Sequence, residues 1–361
     1  AVLSSNTTGN NNTATGISAL NNNTTGYSNV AIGTEALMRN TDRSNLVAVG
    51  DSALYNNGTG VSFPGEARRN TAVGSKALYT NTTGADNTAA GFNSLFLNSS
   101  GYSNTANGAS SLRANTTGYQ NAASGAYSLL SNTTGIYNAA HGNSSLGSNT
   151  QGDYNTGSGS NALFNNTLGN RNTAAGYTAL STNTIGNNNT AIGYAADVAV
   201  NNLSNATAIG YNAKVAASNS LVLGGTGADA VNVGIGTTTP GFPLNFANTL
   251  GNKISLYGNT GSHYGFGVQG GLLQIHSDAA AADIVLGYGS STSFSETMRV
   301  KGNGNVGIGN NNPVKPLSFP ASLGEKILLY PGGVGEVGIG VYGNELRLHA
   351  DNPGAKNDGI C

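Results

Sequence analysis

Apolar and polar positions in the first 210 residues follow a frame of 17, not the period of a helix or of a long strand. Take the glycine closing each Asn-Thr-Ala-x-Gly-like segment as position 0. Copies then stand at Gly16, Gly33, Gly50, Gly74, Gly91, Gly108, Gly125, Gly142, Gly159, Gly176, Gly193 and Gly210, and ten of the eleven intervals are 17 residues. Position −2 is Ala in every copy except Gly157. Position +4 is Leu from Leu20 to Leu180 and fails only at Asp197 and Lys214. In the ten Leu copies, +3 is Ala or Ser and +7 is Asn, from Asn23 to Asn183. Columns of this kind predict a solenoid whose coils stack in register.

Each coil is predicted to hold two short strands, one on Asn-Thr-Ala-x-Gly and one on the Ala/Ser-Leu pair, separated by two turns. Parallel pairing at about 4.8 Å would make twelve coils span roughly 58 Å. The Ala and Leu columns form the interior, Gly supplies the positive φ of the turns, and Asn caps or stacks in ladders at the corners. A helical reading fails, because apolar residues do not recur at 3 and 4 and the Gly-Asn-Thr runs break helices.

One Leu per coil is a small core, which predicts several chains packed side by side. Position −1 alternates with the Ala column and so faces the other way. Ile32, Val49, Val73, Ile192 and Ile209 are the expected inter-chain contacts, with the more polar Asn107, Ser124, His141 and Ser158 between them. Position −3 is Thr in eight copies, from Thr13 to Thr207, interrupted by Val30, Val47, Ala122 and Ala139. An outward Thr array could order water, as in ice-binding solenoids.

The long interval, Gly50 to Gly74, holds seven extra residues. Gly60 is on schedule, so they are placed within 61–69, as a loop on the outside of the solenoid. Phe63, Arg68 and Arg69 in this loop, with the outward Tyr102, Tyr119 and Tyr137, are the candidate binding residues.

After Gly224 a different repeat begins, with an offset of 73. Val231-Asn232-Val233-Gly234-Ile235-Gly236 returns as Gly304-Asn305-Val306-Gly307-Ile308-Gly309, Leu256-Tyr257 as Leu329-Tyr330, and His276 as His349. The expected organisation is a solenoid over 1–224, a first β module over 225–304 and a second, cut short, over 305–361.

Composition narrows the classes. Only 9% of residues are charged and the net charge is −1, which argues against nucleic acid and anionic membranes as partners. The single Cys361 allows no intrachain disulfide. No run of 18 apolar residues exists, so membrane insertion is not expected. The chain opens on Ala1 without Met, as a processed or trimmed chain would.

Catalytic chemistry finds little support. A glycan depolymerase needs paired carboxylates roughly 5–9.5 Å apart, and no two of the acidic residues before position 200 share a column. His276 with Asp278, and His349 with Asp351, are repeat equivalents and read as module framework. No Cys/His metal spacing occurs, so neither a metal nor another cofactor is expected. Gly224 to Asn232 fits one copy of a nonapeptide Ca²⁺ repeat, but such sites form between successive copies, so a junction turn is the simpler reading. The many Asn-x-Thr/Ser triplets match glycosylation sequons and are also the turn consensus.

Two resemblances cover almost the whole chain. Asn29-Val30-Ala31-Ile32-Gly33, Asn189-Thr190-Ala191-Ile192-Gly193 and Ala206-Thr207-Ala208-Ile209-Gly210 resemble the head repeats of YadA-like trimeric autotransporter adhesins. That resemblance implies a left-handed parallel β-roll trimerising side by side, although the usual repeat there is nearer 14 than 17 residues. The Met298 to Pro313 stretch and Asn232 to Pro240 resemble the shaft modules of phage tail fibres and related surface proteins, where a self-cleaving chaperone often follows. Together they imply an all-β, homotrimeric fibre: a parallel β-solenoid of 17-residue coils followed by tandem β-rich shaft modules. Its expected role is non-enzymatic, extracellular attachment from a virion or cell surface to a glycan or protein receptor. A self-assembling filament without a receptor and a depolymerase tailspike are the alternatives.

Overall fold

The structure, a computed structural model, describes residues 2–259, 262–277, 279, 281–332 and 335–350. It divides into one compact unit ending at Val231 and another beginning at Asn232.

The first unit is a parallel β-solenoid. Thirteen three-residue strands, from Thr13–Thr15 to Leu221–Leu223, form one sheet in chain order. Pairing is in register at the repeat offset: Ala89 faces Ala72 and Ala106, and across the long interval Ala48 faces Ala72. The middle residue of each strand points inward, so Ala31, Ala89 and Ala191 are fully buried. Positions −3 and −1 lie on the outer face, as the period-2 geometry requires.

The second predicted strand is absent from the first ten coils. There the +2 and +4 residues are left-handed: Glu35 and Leu37 have φ of 57° and 53°, and every Leu from Leu20 to Leu180 has φ near 50°. A chain that alternates into this region cannot run as a strand. Its amides are satisfied in another way. Those of Ala36, Met38 and Asn40 close turns onto Gly33, Glu35 and Leu37, while those of Glu35, Leu37 and Arg39 bond to adjacent coils at 2.8–3.1 Å. In the last two coils Leu is lost, and the strand appears. Asp197–Val198 pairs with Lys214–Val215, and Val198 and Val215 take over the buried place one residue later.

Burying a Leu side chain contributes about 1.5–3 kcal/mol, while holding an L-residue left-handed costs about 1–2 kcal/mol. The two are similar in size, so the coil depends heavily on its polar interior. Two columns of buried asparagine run through it. At +7, Asn98 donates to Asn81 Oδ1 at 2.8 Å and to the Gly101 carbonyl at 2.9 Å. At −4, Asn104 donates to the Gly118 carbonyl, and its backbone N–H bonds to Asn87 Oδ1 at 3.0 Å. Both columns are almost wholly buried.

Two glycine columns follow from this stacking. Gly91 has φ of 138°, and a Cβ there would stand 2.6 Å from the Gly108 carbonyl carbon. At +10, a Cβ on Gly118 would meet Asn115 Oδ1 and the Gly135 carbonyl oxygen at 2.5 Å. The first column is closed by the next coil's backbone and the second by the asparagine ladder.

The second unit consists of antiparallel sheets and short parallel pairs. Gly251–Asn259, Ser262–Gln269 and Leu272–His276 form one three-stranded sheet. Gly324–Gly332, Gly335–Tyr342 and Glu345–Ala350 form another. The 73-residue repeat holds in the pairing itself: Gly251 faces Val268 and Gly324 faces Val341, with register shifts at matching places. A four-stranded sheet joins Ile284–Ser290 and Ser293–Val300 to Val306–Ile308 and Leu317–Ser318. The sequence-based boundary at 304/305 falls in the turn between the second and third of these strands.

Candidate functional site

The outer face of the solenoid sheet carries the −1 column. Ile32, Val73, Ile192 and Ile209 are 37–44% exposed and Val49 is half-buried, each stacked in register on its neighbours. Asn107, Ser124, His141 and Ser158 are exposed in the middle of the same column. The Thr column lies beside it at −3, with Thr173, Thr190 and Thr207 in direct register.

The inserted loop sits three residues earlier than its sequence suggests. Asn57 keeps its ladder place at +7, and Ala67, not Gly60, takes the +10 position, its carbonyl receiving the Asn57 amide at 2.9 Å. Ala67 is fully buried, so the loop is 58–66. Gly60 matches the period only by coincidence of spacing.

Arg43, which the sequence reading passed over, clasps this loop. It occupies the +10 column one coil earlier, where Gly is the rule, and is 6% exposed. Its Nη1 donates to the Phe63 and Pro64 carbonyls at 3.2 Å, and its Nη2 pairs with Asp42 at 2.9 Å. Glu66 closes the loop by accepting the amides of Ser62 and Phe63, and these bonds hold its carboxyl below the usual range. The signal for Arg43 was present: it breaks the Gly column directly before the long interval.

Of the predicted loop residues, Phe63 stands at the apex, 69% exposed. Arg68 is half-buried and its Nε has no hydrogen-bond partner. Arg69 is exposed and pairs with Asp86 of the next coil, Nη2 to Oδ2 at 2.9 Å. The hydrogen bond from Arg69 lowers the Asp86 pKa.

Tyr102, Tyr119 and Tyr137 do come together, as part of a stack that includes Tyr154. Tyr102 and Tyr119 have ring centroids 4.7 Å apart and nearly parallel planes, as do Tyr137 and Tyr154 at 4.9 Å. The T-shaped contact between Tyr119 and Tyr137 marks the step where the column moves from +11 to +12. Burial pushes the Tyr119 phenol up, with smaller contributions from its Tyr neighbours and Asp153.

Two further stacks were not foreseen. Tyr55, Tyr79 and Phe96 stack at +5 between the guanidinium groups of Arg39 and Arg113. Tyr177, Tyr194 and Tyr211 stack at +1. In the parallel stacks the ring faces cover one another, so these ladders present mainly edges and phenol hydroxyls to the surroundings.

At the solenoid's end, Asp229 lies in a short 3₁₀ turn and accepts the Asn212 amide at 2.9 Å, as a junction turn would have it. Asp278 and Asp351 lie outside the described residues. Among the described residues, no three His, Cys, Asp or Glu gather to hold a metal ion unaided. No helix there is long and apolar enough to cross a membrane. Comparison of the chain with family models, with characterised proteins and with solved structures yields no match.

Proposed function

We propose that the chain is a structural and adhesive fibre protein. Three copies pack side by side through the outer sheet face, project from a virion or cell surface, and engage a glycan or protein receptor. The observation that carries this reading is the missing core of the second unit. Among the described residues, every fully buried apolar side chain lies between Ala19 and Val215. Among the described residues from Asn232 on, the buried ones are five glycines and Pro313. Neighbouring residues of one strand, Leu272 and Leu273, are 58% and 78% exposed, so the sheet is open on both faces.

A sheet open on both faces does not persist alone in water. Further copies of the same chain are the simplest cover, and the Ile/Val column gives the solenoid a matching inter-chain face. The resemblance to trimeric adhesin heads and tail-fibre shafts favours three copies. Three equivalent sites would then add weak receptor contacts by avidity. Phe63 at the loop apex, Arg68 and Arg69 beside it, and the phenol edges of Tyr102, Tyr119 and Tyr137 are the contact residues in this reading.

A non-enzymatic role fits the acids. Asp42 is tied to Arg43, Asp86 to Arg69 and Asp197 to Thr182, so each serves the framework singly.

The test is solution mass by light scattering. The 36.1 kDa chain should run at about three times that mass. Glycan arrays and whole-cell binding with the Phe63→Ala, Arg69→Ala variant then address the receptor. A clean monomer overturns the trimer. It would leave the in-register Thr column facing water, and thermal hysteresis would become the next measurement.

A further inference from the structure

The first β module contains a pair of histidines whose free nitrogens are unexplained. His263 lies in strand Ser262–Gln269 and His276 ends strand Leu272–His276. Their rings meet edge to face, with centroids 4.8 Å apart. The Nε2 atoms of both are buried and have no hydrogen-bond partner. An unpaired buried polar atom is costly, and an ion or water is a common reason for one.

The other ring nitrogen of His276 shows which of its atoms is free to act as a ligand. Its Nδ1 lies 3.1 Å from the His263 carbonyl oxygen, which can only accept, so Nδ1 carries the proton. The neutral ring then has its lone pair on Nε2. A backbone carbonyl that fixes the tautomer in this way is the usual outer partner of a metal-bound imidazole.

The second module places ligand-type residues at the same two register positions. Gly258 faces His263 and Gly265 faces His276; 73 residues on, Pro331 faces Glu336 and Gly338 faces His349.

We propose that His263 and His276 bind a late first-row divalent cation through their Nε2 atoms. Two neutral imidazoles suit Zn²⁺, Ni²⁺ or Cu²⁺ and not Ca²⁺ or Mg²⁺, which need oxygen ligands. The chain supplies two ligands, and water or further copies complete the sphere. The two histidines stand 13 positions apart, a spacing that no sequence motif flags; the hairpin brings them together. The inference does not depend on the fibre reading, since a monomer and a trimer both contain the pair.

The experiment uses the tag-free full chain carrying Cys361→Ser, so that the thiol cannot reduce or capture the probe. Cu²⁺ binding is followed by calorimetry and by electron paramagnetic resonance. The expected result is one ion per chain with coupling to two imidazole nitrogens. His276→Asn keeps an amide donor near Nδ1 but removes Nε2, and should weaken binding at least tenfold and leave one-nitrogen coupling. His263→Asn should do the same, while His141→Ala, on the solenoid, should change nothing. Absence of bound Cu²⁺ in the parent chain, or an unchanged spectrum in both asparagine variants, would overturn the assignment.

Discussion

Asn98 and Asn81 are joined by a 2.8 Å hydrogen bond between their side-chain amides, and each is completely buried. The same bond links Asn115 to Asn98 and Asn132 to Asn115, so one amide column runs along the interior. Each Nδ2 uses both protons, one on the preceding Oδ1 and one on the glycine carbonyl three residues on. Replacing Asn115 by Leu would strand Asn98 Oδ1 and one proton of Asn132, and would leave the Gly118 carbonyl with Asn104 alone. At about 1–3 kcal/mol for each unpaired group, the loss is large despite the added apolar surface. Hydrogen exchange should show faster opening centred on the coils around residues 98–132. Unchanged exchange would mean that the ladder is not a main source of stability.

Leu112 is buried with φ of 50°. Leu112→Ile conserves volume but forces a β-branched residue left-handed, and Leu112→Met does not. The Ile variant is expected to be about 1–2 kcal/mol less stable than the Met variant. Urea unfolding of the pair measures the difference, and equal stabilities would show that β-branching adds no cost to the left-handed backbone here.

Arg43 holds the 58–66 loop through three partners, the carbonyls of Phe63, Pro64 and Glu66. Arg43→Gly restores the column's usual residue and releases the loop. Limited proteolysis should then cut within 58–66 while the solenoid stays intact. Resistance equal to the parent would show that Glu66 alone is enough to close the loop.

Asp197 is 5% exposed, and burial raises its pKa, opposed in part by hydrogen bonds from Thr182 and Val198. A carboxyl whose folded pKa exceeds its unfolded one favours folding most when protonated. Its contribution is full below the unfolded value and falls as pH rises through the folded value. Asp197→Asn should therefore be stabilising at neutral pH relative to its effect at acid pH. Thermal melts from acid to neutral pH would show the two proteins diverging as pH rises, and parallel curves would contradict the assignment.

Ile192 is 44% exposed on the outer sheet face. Ile192→Asp should lower the solution mass or make it concentration-dependent, with the solenoid's circular dichroism unchanged. A trimer of undiminished stability would move the inter-chain contact away from the −1 column.

The repeat, the in-register parallel strand, the buried Ala and Leu columns and the +7 asparagine ladder were legible from one chain because stacking forces equivalent residues into equivalent places. The outward direction of position −1 followed from the two-residue period of a strand. The second arm did not. Ala/Ser-Leu reads as a strand by composition, whereas interlocked turns let ten leucines sit left-handed with their amides still paired, and local propensity cannot register that. The insertion was misplaced because Gly60 satisfied the count, while burial of Ala67 decided the register.

Candidate sites divide along the same line. Tyr102, Tyr119 and Tyr137 could be named as outward from the period alone, but only side-chain packing shows their rings stacked on one another. His263 and His276 share no column and no motif. Their meeting depends on a hairpin register, and their unpaired nitrogens on what that hairpin buries. Sequence by itself determined that the first unit is a stack of parallel coils, since one 17-residue rule repeated twelve times puts equivalent residues in register. Tertiary structure decided which backbone path each coil takes and which distant side chains meet, because both depend on hydrogen bonds and burial between residues that the linear pattern keeps apart.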